Sequence, residues 1–171
     1  MAGKSQTEFA SSVSLRVSES AANTLTFQKI EGGVTTLDKV GWVLQKMFFS
    51  ISNPVYFNGT GDIFTLALTV SNKLTDLSVD NPGVIFSRTF ERIDMGTAAS
   101  AQLIETTSEA DFSSLQGGGI LVLPNPLYLA CQGQGLSNPM VGLLRMYFFP
   151  IAMADADYFN LVQSRQILIN S

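Results

Sequence analysis

Fourteen carboxylates, ten Lys or Arg, one cysteine and no histidine are the groups from which this chain could build chemistry. Catalysis near neutral pH needs side chains that titrate or attack there. Without imidazole, the Ser-His-Asp and Cys-His relays are excluded. A zinc site of His and Cys is excluded as well, because Cys131 stands alone. What remains is a pair of carboxylates of the glycoside-hydrolysing kind. The candidates are Asp62, Asp94, Glu105, Glu109 and Asp111, which sit mostly beside Gly, Ser and Thr, where acids are ordinarily solvated loop groups.

Other signals are weaker still. "EADFSS" and "DADYFN" lack the ligand spacing of a calcium loop. "QGGGI" leads into a strand, so it lacks the helix N-terminus that cradles phosphate; a corner or close backbone packing is the expected use. "NGT" at Asn58 matches the glycosylation pattern but reads as a tight turn. Cys131, within "LYLAC", reads as a buried, inert thiol. The expectation is a protein that is not an enzyme and carries no cofactor and no metal.

Shape is the alternative to chemistry. Trp42, Phe48, Tyr56 and Tyr128 are the aromatic residues that could form a platform, either against a neighbouring subunit or under a sugar ring. Strand alternation turns one of Phe48 and Phe49 outward, whereas core packing accounts for most of the twelve Phe. Ile167 and Ile169, in the tail "RQILINS", are candidate contacts for a terminal arm.

Period-two alternation dominates the elements that would position these residues. In "SSVSLRVSES", Val13, Leu15 and Val17 oppose serines and Arg16, and "TLTFQKI" continues the pattern. In "LDKVGWVLQKMFFSI", Val40, Trp42 and Leu44 alternate, as do Met47, Phe49 and Ile51. The two sets differ in phase, so one extra residue near Leu44 to Lys46 predicts a β-bulge. "GDIFTLALTVSN" puts Phe64, Leu66, Leu68 and Val70 on one face. Ile63, Thr65, Ala67 and Thr69 form the other, a surface suited to solvent or a neighbouring subunit. "VIFSRTFERIDM" reads as an extended segment or a short helix, "SAQLIETT" as a strand, and "SEADFSS" as an excursion after it.

"ILVL" is apolar on both faces and predicts a central strand, ended by Pro124 and Pro126. "LYLAC" is the next strand, "QGQG" a turn, and "VGLLRMYFF" the last long strand, ended by Pro150. A helix follows in "ADADYFNLVQSRQ", its first acidic residues complementing the helix dipole. "QILINS" reads as a short terminal strand. The tally is an all-β chain, an antiparallel sandwich or jelly roll of about eight strands with one short helix near the C-terminus. It forms a single domain, 1–171, with terminal arms at about 1–10 and 166–171.

Bulk composition fits such a module. The chain is 46% hydrophobic but only 14% charged, against roughly 25% charged in typical soluble domains. A low-charge surface repels neighbours weakly, which suits a protein packed against its own copies. Net charge is −4 and no window clusters Lys and Arg. Strong direct binding of nucleic acid is therefore not expected. "MAGKSQTEFASS" lacks the apolar region of a secretion signal. "VGLLRMYFFPIAMA" is interrupted by Arg145 and Pro150 and falls short of the roughly 18–20 residues of a membrane span. The reading is a soluble chain that begins inside a cell.

The C-terminal third, "GGGILVLPNPLYLACQGQGLSNP…GLLRMYFFPIAMADADYFNLVQSR", resembles the closing half of small viral capsid proteins. In these, apolar strands and Pro or Gly corners lead to an Arg-bearing last strand. "GDIFTLALTV" and "VSLRVSES" are similar in texture to jelly-roll strands. The resemblance implies a coat subunit made in the host cytoplasm and built into the virion as part of an icosahedral-type shell. Its partners would be copies of itself and other capsid proteins. The basic N-terminal arm of many coats is missing, which would suit a shell separated from its genome by an internal membrane or another protein. A carbohydrate-binding or host-attachment jelly roll, with glycans as partners, is the rival reading.

Overall fold

A computed structural model describes residues 11–31, 39–52, 57, 61–93, 102–103 and 106–170. The strands are β1 (Ser11–Ser18), β2 (Thr26–Lys29), β3 (Val40–Ser52), β4 (Ile63–Thr69), β5 (Val84–Ile93), β6 (Gln102–Leu103), β7 (Thr107–Asp111), β8 (Ile120–Val122), β9 (Tyr128–Gln134) and β10 (Val141–Ala152). Helix α1 (Asp155–Asn170) follows. Two antiparallel sheets result, one ordered β1-β10-β3-β7 with β8 also on β3, the other β2-β9-β4-β5-β6.

The pairings nest. β1 pairs β10, β2 pairs β9, β3 pairs β7 and β8, and β4 pairs β5. One long antiparallel hairpin has thus been rolled so that its successive rungs fall in alternate sheets, and the links β3–β10 and β4–β9 close each sheet. This is the strand order of a jelly roll.

Alternation explains the core. Trp42, Leu44, Met47, Phe49 and Ile51 of β3 meet Phe64, Leu66 and Leu68 of β4, Leu129 and Cys131 of β9, and Leu144, Met146 and Phe148 of β10. The phase change in β3 is resolved as expected: Lys46 pairs Tyr147 while Leu44 pairs Phe148, so Gln45 is the extra residue of a bulge. The extended alternative for "VIFSRTFERIDM" is the observed one, as β5.

Five readings need correction. "SEADFSS" contains β7 rather than an excursion, while Gln102–Leu103 of "SAQLIETT" form strand β6 as expected. In β7 the core-facing positions are Ser108 and Ala110, too small and polar to register as an apolar stripe. "ILVL" is not a central strand, since β8 pairs with β3 alone. Val122 and Leu123 are buried while Leu121 is 40% exposed, lining a groove with Ile151 and Leu161 beside α1. Strand β9 runs through "QGQ", and the turn begins at Gly135, whose φ is +78°. Pro150 lies inside β10 rather than ending it. It pairs Trp42, beyond the last residue of β1 in the ladder, so its missing N–H interrupts no pairing with β1. Finally, "QILIN" forms the last turns of α1, not a strand.

The glycine run does what close packing demands. A Cβ at Gly119 would lie 2.2 Å from the Leu44 carbonyl oxygen, and Gly117 and Gly118 have φ of +89° and +79°. On the outer face of β4, Ala67 and Thr69 are buried because the 71–82 loop lays Leu77 over Ala67 and Ala130. Thr65 stays half-buried, its hydroxyl 3.0 Å from that of Thr89. The small residues of this face thus make room for the chain's own loop.

Cys131 is fully buried, and burial, then the Glu19 carboxylate, pushes its thiol up to about 12. Thiol reagents should leave the native protein untouched and titrate one thiol once it is unfolded. The sign of the pH effect follows from linkage. The folded value lies above the ordinary thiol value of 9.0, so the unfolded chain loses its proton first and stability falls between pH 9 and about 12. The slope attributable to this group is at most ~1.4 kcal/mol per pH unit, and C131A should lack that share of it. An unchanged alkaline slope in C131A would contradict this assignment.

Candidate interaction face

The outer face of β1-β10-β3-β7 gathers exposed aromatic, aliphatic and charged groups in one regular array. The register sets three rows across the four strands. Ser12, Tyr147, Lys46 and Asp111 form the first; Ser14, Arg145, Phe48 and Glu109 the second; Arg16, Leu143, Ser50 and Thr107 the third. The Gln45 bulge is what allows this array. It lets Lys46 and Phe48 follow Val43 on the outer side while Leu44 and Met47 both stay in the core.

Of Phe48 and Phe49, it is Phe48 that turns outward; it is half-buried and stands edge-on to Tyr147, with ring centroids 5.9 Å apart. Leu143 is 38% exposed beside them. Arg145 Nε donates to Ser14 Oγ at 3.1 Å, which holds the guanidinium against the sheet. A shallow groove lined by Phe48, Ser50, Leu143, Arg145 and Tyr147 crosses the centre of the face.

Of its carboxylates, Asp111 is not poised to act as a general acid. Lys46 Nζ lies 3.0 Å from Glu109 Oε1 and 2.8 Å from Asp111 Oδ2. Asp111 also accepts from the Ser113 backbone N–H at 2.9 Å and hydroxyl at 2.6 Å. The Lys46 ammonium, then the Ser113 hydroxyl and N–H, hold the Asp111 carboxyl well below the usual range. Asp111, with Glu109 behind it, holds the Lys46 ammonium above its ordinary value. A general acid must be protonated near its working pH, and Asp111 is the reverse. Replacing Lys46 by Met should move the Asp111 titration back up toward 3.8, incompletely, because Ser113 remains. Carbon-detected NMR titration would read it, and an unmoved Asp111 would contradict the assignment.

The other sequence candidates do not converge here. Trp42 is 2% exposed and stacks on Phe148 with centroids 3.9 Å apart, so it fills the core. Tyr128 is half-buried in the other sheet, edge-on to Phe27 at 6.5 Å. Tyr56, Asp94, Glu105 and the first arm, 1–10, lie outside the described residues. Ile167 and Ile169 fall within α1, with only their backbone described. Asp62 is buried at the start of β4, where its carbonyl accepts from Arg92 N at 3.1 Å. Among the described residues, no three His, Cys, Asp or Glu come together as a metal site would require. No helix there is long and apolar enough to cross a membrane.

Sequence reading passed over two residues. Lys46 was recoverable, since the bulge fixes it as outward and level with the "SEAD" acids once β7 is recognised. Glu19, discussed below, had no local signal. Two of its three backbone partners, Gly133 and Met140, lie more than a hundred residues away.

Two solved virus structures are similar to this chain. Over 91% of its length the chain is similar to a chain in the crystal structure of tomato aspermy virus, at 15% identity and a TM-score of 0.48, covering 85% of that chain. Over 91% it is also similar to a chain of Desmodium yellow mottle tymovirus, at 9% identity and a TM-score of 0.34, covering 97% of that chain. No family model and no curated protein sequence matches. The likeness is one of fold. The nested strand order alone is what assigns the jelly roll.

Proposed function

We propose that this chain is a structural protein, a self-assembling capsid subunit of a virion that associates with its own copies through sheet edges and terminal arms. The observation that carries the reading is the outer face of β1-β10-β3-β7. There Phe48, Leu143 and Tyr147 are interleaved with hydroxyls and with both signs of charge. Non-obligate protein interfaces have this mixed character, about as apolar as ordinary surface yet carrying exposed aromatics. Many modest patches of this kind suffice in a shell, because multivalency multiplies them.

The sparse charge of the chain and the jelly-roll order support the same reading. A fold alone does not name a function, so the test is assembly itself. Deleting residues 1–9 or 166–171 should abolish particles seen by electron microscopy while leaving a folded, soluble chain. Intact particles from both deletions would count against assembly through the arms.

A further inference from the structure

The sheet edges among the described residues are guarded unequally. β6 has two residues, the stretch 84–91 of β5 that it leaves uncovered carries Arg88, Glu91 and a bulge at Ile85, and β2 has four residues ending in Lys29. β7 has five and carries Glu109 and Asp111. β1 is different. Its eight residues run in unbroken register with β10, from Ser11 against Phe148 to Ser18 against Val141. It contains no proline, no bulge and a single charge, Arg16. Among the described residues no strand pairs with its other side. A long, regular, nearly uncharged edge is a template for another strand unless something covers it. The core-facing residues agree: Val17 is 2% exposed, whereas Val13 and Leu15 on the same face remain half-exposed.

We propose that β1 pairs antiparallel with β1 of a second copy, across a two-fold axis at Leu15, joining two β1-β10-β3-β7 sheets into one. This rests on the self-assembly reading above and names the edge that serves it. The strand is complementary to itself. Residues opposite one another in an antiparallel pair share a face, so a one-residue slip is forbidden. An axis at Leu15 sets Val13 against Val17, Leu15 against its own copy, Ser12 against Ser18 and Ser14 against Arg16. An axis at Ser14 would instead oppose Val17 to Ser11 and lose an apolar pair. The two-fold contact is isologous, so it consumes the edge and leaves nothing free for fibre growth.

Ser12 and Ser18 are exposed and face neutral Tyr147 and Val141 on β10, so charges introduced there report on the partner strand. Two full-length double variants, S12E/S18K and S12K/S18K, alter the same positions and differ only in sign. Cross-strand pairs of opposite charge stabilise and like charges opposed destabilise, and the contact contains two such pairs. Sedimentation equilibrium in low salt should give S12K/S18K a dimer dissociation constant at least ~10-fold weaker than that of S12E/S18K, with the gap narrowing as salt is added. Circular dichroism melts verify that both variants fold. In parallel, hydrogen exchange of the β1 amides that point away from β10 should slow in the unaltered chain as its concentration rises.

Equal association of the two variants would overturn the proposal, as would outward-pointing β1 amides, those not bonded to β10, already protected in the dilute monomer. If S12K/S18K still assembles with its β1 amides exchanging freely, this edge is wrong and self-assembly stands. If no preparation associates at all, both fail.

Discussion

Replacing Glu19 by alanine is expected to remove ~4 kcal/mol of folding stability, from the 1–3 kcal/mol that each buried donor left unpaired costs. Glu19 is 4% exposed, and its carboxylate is consumed by the backbone. Oε1 accepts from Gly133 N at 2.7 Å and Thr24 N at 3.1 Å, and Oε2 accepts from Met140 N at 2.9 Å. Its own N–H donates to the Met140 carbonyl at 3.0 Å. One side chain thus ties the end of β1 to β9 and to the segment entering β10. Alanine strands two or three of those donors away from water. Glutamine keeps one acceptor oxygen but turns an NH2 toward a backbone N–H, so E19Q should fall between, at roughly half the loss. Against a total of about 5–15 kcal/mol for a domain, E19A should shift the urea midpoint strongly when followed by Trp42 fluorescence. A loss under ~1 kcal/mol would show that water replaces the carboxylate.

Replacing Trp42 by alanine should cost ~3–5 kcal/mol, the range for emptying a large aromatic site in a packed core. Trp42 lies between the sheets, stacked on Phe148, with β8 pairing across its backbone at Val122. Phenylalanine keeps most of the volume and should cost roughly 1–2 kcal/mol. The experiment also separates two roles. A core residue moves the unfolding midpoint, whereas a ligand platform would lose binding with the midpoint unchanged. Calorimetric melts of W42A and W42F supply the answer, and an unaltered melt for W42A would contradict the core assignment.

Much of this architecture was legible because alternation is a local signal. β1 and β4 each oppose large apolar residues to mostly polar or small ones over at least seven positions, and the phase jump in β3 predicts a bulge near Leu44 to Lys46, where Gln45 proves to be the extra residue. The errors arose where the outcome depended on a distant neighbour. β7 was overlooked because its core side is Ser108 and Ala110, room enough only because Phe49 and Met47 of β3 fill the space beside them. In β8 the apolar Leu121 gives the sequence the pattern of a central strand, but that residue answers to α1 and the end of β10. Pro150 was taken as a stop because the sequence does not say where β1 ends relative to β10.

The interaction face was legible in part. Alternation turns one of Phe48 and Phe49 outward without saying which, and Trp42, a candidate for the same platform, is buried. That difference is one of parity across the bulge: residues 42 and 48 are six apart, an even number, yet one extra residue between them reverses the face. Glu19 could not be found locally, since a buried carboxylate held by backbone donors leaves no mark on the residues around it.

One measurement bears on the whole reading. The full-length chain, expressed alone and purified, should form regular closed particles of many copies in negative-stain electron micrographs, with sedimentation mass far above 18.5 kDa. A species that stays at 18.5 kDa at every concentration and salt tested, with no particles on the grid, would contradict it.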